Sequence, residues 1–154
     1  MSNMIKQKAS TLVEVLIAVS IIALVLTSVS AMILMSIKLA SSNEQQQLAL
    51  QKAQETMEFF RKERAVNSWH TFSAPLEDGG RYCINSLPES VASLSAHLGA
   101  CEEDSFLEAA KYQFQREAAI TFNSENNLKV EIEVLWQDNS KSKNLAIEQN
   151  FENY

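Results

Sequence analysis

One uninterrupted apolar stretch constrains this chain more than any other feature. Between Val15 and Ile37 the sequence contains no charged residue, no glycine and no proline. As an α-helix these residues would span about 35 Å, which is enough to cross a hydrocarbon core of about 30 Å. The sequence therefore predicts one membrane-spanning helix, with Lys6 and Lys8 before it and Lys38 at its end.

Glu14 places a carboxylate directly before this apolar stretch. A carboxylate inside a membrane helix costs roughly 2.5–3.5 kcal/mol at the centre and less near an end, so Glu14 suggests a function. Cleavage between Ala9 and Ser10 would give Ser10 a free α-amine and place Glu14 in the first turn of the helix, where acidic groups are favourable. The carboxylate could then pair with that amine or with the amine of a neighbouring copy. Alternatively, Glu14 only marks the headgroup boundary of an ordinary anchor.

The segment Ala9–Ala18 and the short basic leader before it resemble the class III signal of type IV pilins and type II secretion pseudopilins. Ala9 and Ser10 stand where that family usually has Gly and Phe. The resemblance implies cleavage after Ala9 by a prepilin peptidase and N-methylation of Ser10. It also implies that Glu14 neutralises the N-terminal amine of an adjacent subunit, so that the partners are other pilin or pseudopilin subunits.

A conventional secretory signal is the alternative explanation of the apolar stretch. Ser28-Val29-Ser30-Ala31 has the small residues that a signal peptidase accepts. However, the stretch continues to Ile37 and the following residues keep helical register, which favours an anchor that is retained. Basic residues before the stretch and acidic residues after it place the N-terminus in the cytoplasm. We therefore expect a single-pass inner-membrane protein that passes from the membrane into an extracellular or periplasmic filament.

The helix is predicted to continue through residues 39–66, which contain no glycine or proline and many helix formers. Its apolar residues recur at helical spacing and form one stripe: Leu50, Ala53, Met57 and Phe60. We expect this stripe to pack on the soluble domain, with a coiled-coil partner as the alternative. Glu58 and Lys62 have the i,i+4 spacing of a helical ion pair.

Residues 67–111 are interrupted by Pro75, Gly79-Gly80 and Pro88 and are the least regular part of the sequence. We expect a short strand at residues 81–85 and a short helix or turn at residues 90–98. Cys83 and Cys101 both lie in the exported part, which favours a disulfide, with two free buried thiols as the alternative. The disulfide would close a loop of about 18 residues and add on the order of 3 kcal/mol.

Three consecutive acidic residues, Glu102, Glu103 and Asp104, allow two interpretations. A calcium site is one, because some pseudopilins bind calcium. The other is the first turn of a helix over residues 106–110, where acidic side chains are common. Consecutive acids lack the alternating ligand spacing of a calcium loop, so the sequence favours the helix.

Residues 112–152 predict an antiparallel meander of three strands, with one face buried against the helix stripe. Inward positions alternate with polar ones along the first two strands: Phe114, Arg116, Ala118, Ile120 and Phe122, then Leu128, Val130, Ile132, Val134 and Trp136. The third strand has Leu145, Ile147 and Phe151 inward, with Gln149 as an exception, and residues 123–127 and 138–141 are turns. This ending is similar to minor pilins of the pilus-modification type.

Together these patterns predict an α+β, pilin-like lollipop, in which a long N-terminal helix packs on a small antiparallel meander. We expect four regions: a leader at residues 1–9, a transmembrane and assembly helix at 10–38, its amphipathic continuation at 39–66 and a globular head at 67–154.

The sequence contains no nucleotide-binding loop, no metal-spaced His/Cys set and no nucleophile elbow, and His70 and His97 are isolated. We therefore expect neither an enzyme nor a cofactor, and a tethered hydrolase is the weakest hypothesis. The net charge of −6 argues against direct nucleic-acid binding. The prediction is a structural filament subunit, a minor pilin or pseudopilin. The alternative is a single-pass, membrane-anchored binding or sensor domain.

Overall fold

The computed structural model describes residues 12–102, 104–138 and 141–153 with their side chains, and the backbone alone of residues 2–11. The chain divides into two compact units, Met1–Ser42 and Asn43–Tyr154. One helix, α1, spans Ser2–Val66 and so contributes to both. The absence of glycine and proline over its length explains why it is continuous.

In the first unit, the described part of α1 exposes its large apolar side chains on every side. Leu24 is 71% exposed and Met35 is 74% exposed. Among the described residues, α1 is the one helix long and apolar enough to cross a membrane. Its hydroxyl groups donate to backbone carbonyls of the preceding turn at 2.8–2.9 Å, which satisfies them without a partner: Ser20, Thr27, Ser28, Ser30 and Ser36.

In the second unit, α1 buries a stripe that differs from the predicted one at its first position. Ala53, Met57 and Phe60 are buried as expected, but Leu50 is 38% exposed and Ala49 is fully buried. Leu50 lies about 100° around the helix from Ala49, on the flank of the stripe. The prediction that Leu50 packs inward was therefore wrong, because spacing alone allows either position.

The predicted Glu58–Lys62 ion pair was also wrong. Glu58 pairs instead with Arg61, one turn away, and Arg61 Nε also donates to Gln149 Oε1 at 2.6 Å. The guanidinium has several N–H donors and can therefore bond both groups at once. This contact explains the exceptional Gln149, a polar residue between apolar positions of its strand.

In the described residues after α1, the second unit contains one short helix, one 3₁₀ helix and five strands. In chain order they are α2 (Trp69–Ser73), β1 (Arg81–Cys83), the 3₁₀ helix (Val91–His97), β2 (Leu107–Ala109), β3 (Tyr112–Ser124), β4 (Asn127–Asp138) and β5 (Lys141–Glu152). The strands form one antiparallel sheet in the order β1-β3-β4-β5, and β2 also pairs with β3.

The meander is confirmed, and its alternating residues face one core. Phe114 pairs with Trp136 and Ile120 with Val130 across β3 and β4. The inward residues of β4 are all buried, as is Phe151 on β5, and they join the α1 stripe in a single cluster. The first turn is tighter than predicted, since β3 reaches Ser124 and β4 begins at Asn127. The predicted second turn, at residues 138–141, includes residues 139 and 140, which lie outside the described residues.

The predicted helix over residues 106–110 was wrong, because this segment contains β2. Leu107 pairs with Phe114 and Ala109 with Tyr112, so the segment forms a tight hairpin with the start of β3. Ala110 adopts a positive φ of 56°, which is uncommon outside glycine and fits a tight turn. The open edge of β3 thus supplies hydrogen bonds that outweigh local helix preference.

A disulfide joins Cys83, at the end of β1, to Cys101, with a Cα–Cα distance of 4.8 Å. Hydrogen bonds hold the loop between them. His97 Nδ1 lies 3.1 Å from the carbonyl oxygen of Cys83, and the backbone N–H of Cys101 donates to Glu117 Oε1 at 2.8 Å. The loop is therefore attached to β1 and β3 by both covalent and polar contacts.

Candidate functional site

The candidate assembly site is the N-terminal part of α1. The side chains of Ala9 and Ser10, the predicted processing residues, lie outside the described residues. Glu14 is exposed, and its apolar neighbours are exposed as well, with Val13 at 54% and Val15 at 62%. Among the described side chains no cation forms an ion pair with Glu14.

This arrangement combines a large apolar surface with one isolated carboxylate. Each large apolar side chain gains about 1.5–3 kcal/mol when it is removed from water, so the surface favours lipid or other apolar helices. The same apolar surroundings disfavour an unpaired carboxylate. A helix of this kind is therefore most stable where its apolar face is covered and a cation lies beside Glu14.

Arg116 fixes the second half of α1 to the sheet. Its side chain is 2% exposed, and it points inward from β3. Its guanidinium donates to the carbonyls of Ile84 at 2.7 Å, Lys52 at 3.0 Å and Asn85 at 3.5 Å. It also donates to Glu55 Oε2 at 3.2 Å. One side chain thus connects α1, β3 and the segment after β1.

The charged groups around Arg116 shift each other's pKa values. The pKa of Glu55 is lowered, first by its hydrogen bond from Lys52 and also by the positive charge of Arg116. Burial lowers the pKa of Arg116, and Glu55 opposes this effect. The negative charge of Glu55 thus compensates the positive charge of the buried Arg116, as a buried charge requires. The alternating pattern predicts that Arg116 points inward but does not predict its partners; a charged residue within an alternating apolar run is the signal for such a role.

A buried acid, Glu63, connects the end of α1 to the 3₁₀ helix. Its Oε2 accepts from the backbone N–H of Val91 at 2.8 Å and from Asn67 Nδ2 at 3.3 Å. A further contact comes from Arg64, whose Nη2 donates to the carbonyl of Glu152 at 2.9 Å. The contacts with Val91 and Glu152 were not predicted, because they join residues far apart in sequence.

The described residues include no group of three or more His, Cys, Asp or Glu side chains placed to hold a metal ion. Glu102 and Asp104 do not lie in a helix, and Glu103 lies outside the described residues. Among the described residues, the site is therefore characterised by an exposed apolar surface and by the Glu14 carboxylate near its N-terminal end.

Comparison with known families gives one match. Residues 4–30 match the family model described as the prokaryotic N-terminal methylation motif. The match includes the two processing residues and Glu14 and ends within α1, so it does not include the sheet. No curated protein and no solved structure matches the chain.

Proposed function

We propose that this chain is a structural filament subunit, a minor pilin or pseudopilin, because residues 4–30 match the prokaryotic N-terminal methylation motif. The observation that carries the proposal is the coincidence, within residues 4–30, of the motif with an exposed apolar helix and Glu14. In this proposal residues 1–9 are the leader, 10–38 the membrane and assembly helix, 39–66 its continuation and 67–154 the head.

The proposed mechanism begins with processing in the membrane. A prepilin peptidase hydrolyses the peptide bond between Ala9 and Ser10 and leaves the α-amine of Ser10 at the end of the helix. An α-amine has a pKa near 7.7–8.0, and one methyl group keeps it basic, so it carries a positive charge at neutral pH. The chain then has a cation and the Glu14 carboxylate within the same turn of helix.

Assembly would then be driven by helix packing and directed by this charge. The α-amine of Ser10 on one subunit pairs with Glu14 of its neighbour while the apolar faces of α1 pack together. Two opposite charges about 4 Å apart attract by about 4 kcal/mol where the effective dielectric constant is about 20. The pair therefore removes the cost of an isolated carboxylate and sets the axial position of one subunit against the next.

Mass spectrometry of the mature protein tests the processing step. We expect the polypeptide to begin at Ser10 and to carry one added methyl group. An intact Met1, or a new N-terminus near Ala31, would contradict the proposal and favour a plain anchor or a conventional signal.

Substitution of Glu14 tests the assembly step. We expect Glu14→Ala and Glu14→Gln to enter the membrane normally but to be missing from filaments, while Glu14→Asp keeps the charge and retains part of the incorporation. Normal incorporation of the Ala variant would remove the proposed pairing. It would favour the alternative function, a membrane-anchored binding or sensor domain, which does not need this carboxylate.

A further inference from the structure

The face of the sheet that points away from α1 carries a cavity of about 870 Å³. Phe114 and Trp136 are buried in the core, so the residues beside them in β3 and β4 point to this opposite, outer face. Among the described residues that line the cavity, none belongs to α1. The volume falls within the range of about 300–1,000 Å³ that is typical of small-molecule sites.

A row of polar side chains, which we call the polar row, crosses the floor of the cavity. Glu108 pairs with Gln113 between β2 and β3, and Gln137 pairs with Ser142 between β4 and β5. Gln113 and Gln137 are opposite each other, because both lie one residue beyond the last pair of β3 and β4. The polar row thus takes one side chain from each of these strands and spans about 14 Å, or three strand spacings of about 4.8 Å.

A second row beside the polar row is partly apolar. Phe106, directly before β2, is 44% exposed, and Leu135 on β4 is half-buried. Between them in the register, Gln115 donates from Nε2 to the carbonyl of Glu102 at 2.8 Å, which fixes the position of its amide group. The cavity therefore combines polar side chains with an exposed aromatic ring.

One wall of the cavity is held in place without a ligand. This wall is the segment that follows Cys101, which the disulfide joins to β1. Asn85 Nδ2 donates to the carbonyl oxygen and to the hydroxyl oxygen of Ser105, each at 2.9 Å. Phe106 follows directly, so its ring is carried by a fixed segment. Such preorganisation lowers the entropic cost of binding.

The charges of the lining disfavour an anionic ligand. The described lining has two carboxylates, Asp104 and Glu108, and neither forms an ion pair with another described residue. Lys111, its one described cation, lies 3.6 Å from Glu44 and is already paired. An anion would therefore approach two uncompensated negative charges, which is unfavourable.

The polar row matches a ligand that carries several hydroxyl groups. In the part of the chain that the structure describes, the exposed amide groups of Gln113 and Gln137 form no hydrogen bond. An amide group both donates and accepts, as does the hydroxyl of Ser142, and a carboxylate accepts. Neighbouring hydroxyl groups on a sugar ring need such a mixture of donors and acceptors. The exposed ring of Phe106 matches the apolar C–H face of a sugar.

An extended peptide fits this cavity less well. Peptide strands are commonly recognised through free main-chain groups at the edge of a sheet. The middle of the cavity floor is formed by β3 and β4, and each of these strands has a partner strand on both sides. The floor therefore offers side chains rather than main-chain groups.

We infer that this outer-face cavity binds a short, neutral oligosaccharide. The hydroxyl groups of the sugar exchange hydrogen bonds with the polar row, and one ring packs on Phe106. The length of the polar row suits an oligomer better than a single sugar ring. The inference does not depend on the filament proposal, since it concerns the second unit alone.

Nuclear magnetic resonance of the full chain, in micelles of a detergent without a sugar headgroup, tests the inference. The probes are three neutral trisaccharides that differ in linkage and hydroxyl orientation: cellotriose, maltotriose and mannotriose. We expect at least one of them to shift the side-chain NH₂ signals of Gln113 and Gln137 saturably, with a Kd of about 1 mM or lower. The corresponding signals of Gln51 and Gln54 on α1 should not move.

Variants of exposed side chains add matched comparisons. Gln137→Leu removes an amide group of the polar row, and Gln54→Leu makes the same change on α1. We expect the first to weaken binding by about tenfold and the second by less than about twofold. Phe106→Ala should also weaken binding by about tenfold, whereas Phe106→Tyr keeps the ring and should stay within about threefold.

Three results on the natural chain would overturn the inference. The first is the absence of a shift at Gln113 and Gln137 with all three neutral trisaccharides. The second is equal or tighter binding of the trimer of galacturonic acid, which is anionic. The third is binding of the cationic glucosamine trimer more than about tenfold tighter than the best neutral probe, which would assign the cavity to cations through Asp104 and Glu108.

Discussion

Replacement of Arg116 is the strongest test of how the second unit is held together. In Arg116→Ala the buried carbonyl of Ile84 loses the donor at 2.7 Å, while the carbonyl of Lys52 keeps the hydroxyl of Thr56 at 3.2 Å. One orphaned buried acceptor costs about 1–3 kcal/mol. The cavity left by the buried side chain adds to this, and we expect a total of about 3–5 kcal/mol.

Arg116→Met separates the two contributions. Methionine occupies much of the same volume but cannot donate, so we expect it to cost only about 1–3 kcal/mol. Lys62→Met is the matched control, because Lys62 is an exposed basic residue of α1 and its replacement should change stability by less than about 0.5 kcal/mol.

The assay is thermal unfolding of the full chain in micelles, followed by tryptophan fluorescence, since Trp136 is only 7% exposed in the core. At about 4–8 °C per kcal/mol, Arg116→Ala should lower Tm by more than about 10 °C. A loss below about 1 kcal/mol for Arg116→Ala, or a larger loss for the Met variant than for the Ala variant, would refute the assigned role.

Two further predictions concern the disulfide and the pH dependence of the same unit. Replacing both Cys83 and Cys101 by serine should lower stability by about 3 kcal/mol, and reducing agent should lower the Tm of the natural chain but not that of the variant; equal sensitivity in both would contradict this contribution. The pKa of Glu55 is lowered in the folded state, so its stabilising contribution is present above its unfolded pKa near 4.5 and disappears as pH falls through the folded value. Glu55→Gln should therefore be less stable than the natural chain at pH 7, and the difference in free energy of unfolding should vanish in acid. A difference that grows as the pH falls would contradict this contribution of Glu55.

The features that could be predicted from sequence are those with a regular period. The apolar stretch, the continuation of α1 and the meander follow from runs in which every residue supports the same pattern. The choice between Ala49 and Leu50 could not be made, because both fit the helical period and only the approach of the sheet selects one. Strand β2 could not be predicted either, since its three residues form a strand only where β3 offers an open edge.

The polar contacts were harder to predict than the apolar ones. Arg116 and Gln149 both interrupt apolar alternation, and each is explained by a partner from a distant segment: Glu55 for the first and Arg61 for the second. Spacing in sequence does not determine such partners. An inward polar residue in a strand can therefore be identified from sequence as a position that needs a partner, but the partner itself follows only from the fold.

The hydroxyl groups along the first part of α1 have a consequence for any assembly of these helices. Each one bonds to its own backbone, as Ser20 does to the carbonyl of Leu16 at 2.8 Å. The surface between Val15 and Ile37 thus offers neighbouring molecules apolar contours and no free hydroxyl donor, and it suits acyl chains and protein side chains alike. Such a surface suits both a fluid and an ordered environment, so in the proposed assembly the alignment of subunits depends on Glu14 and on the folded second unit.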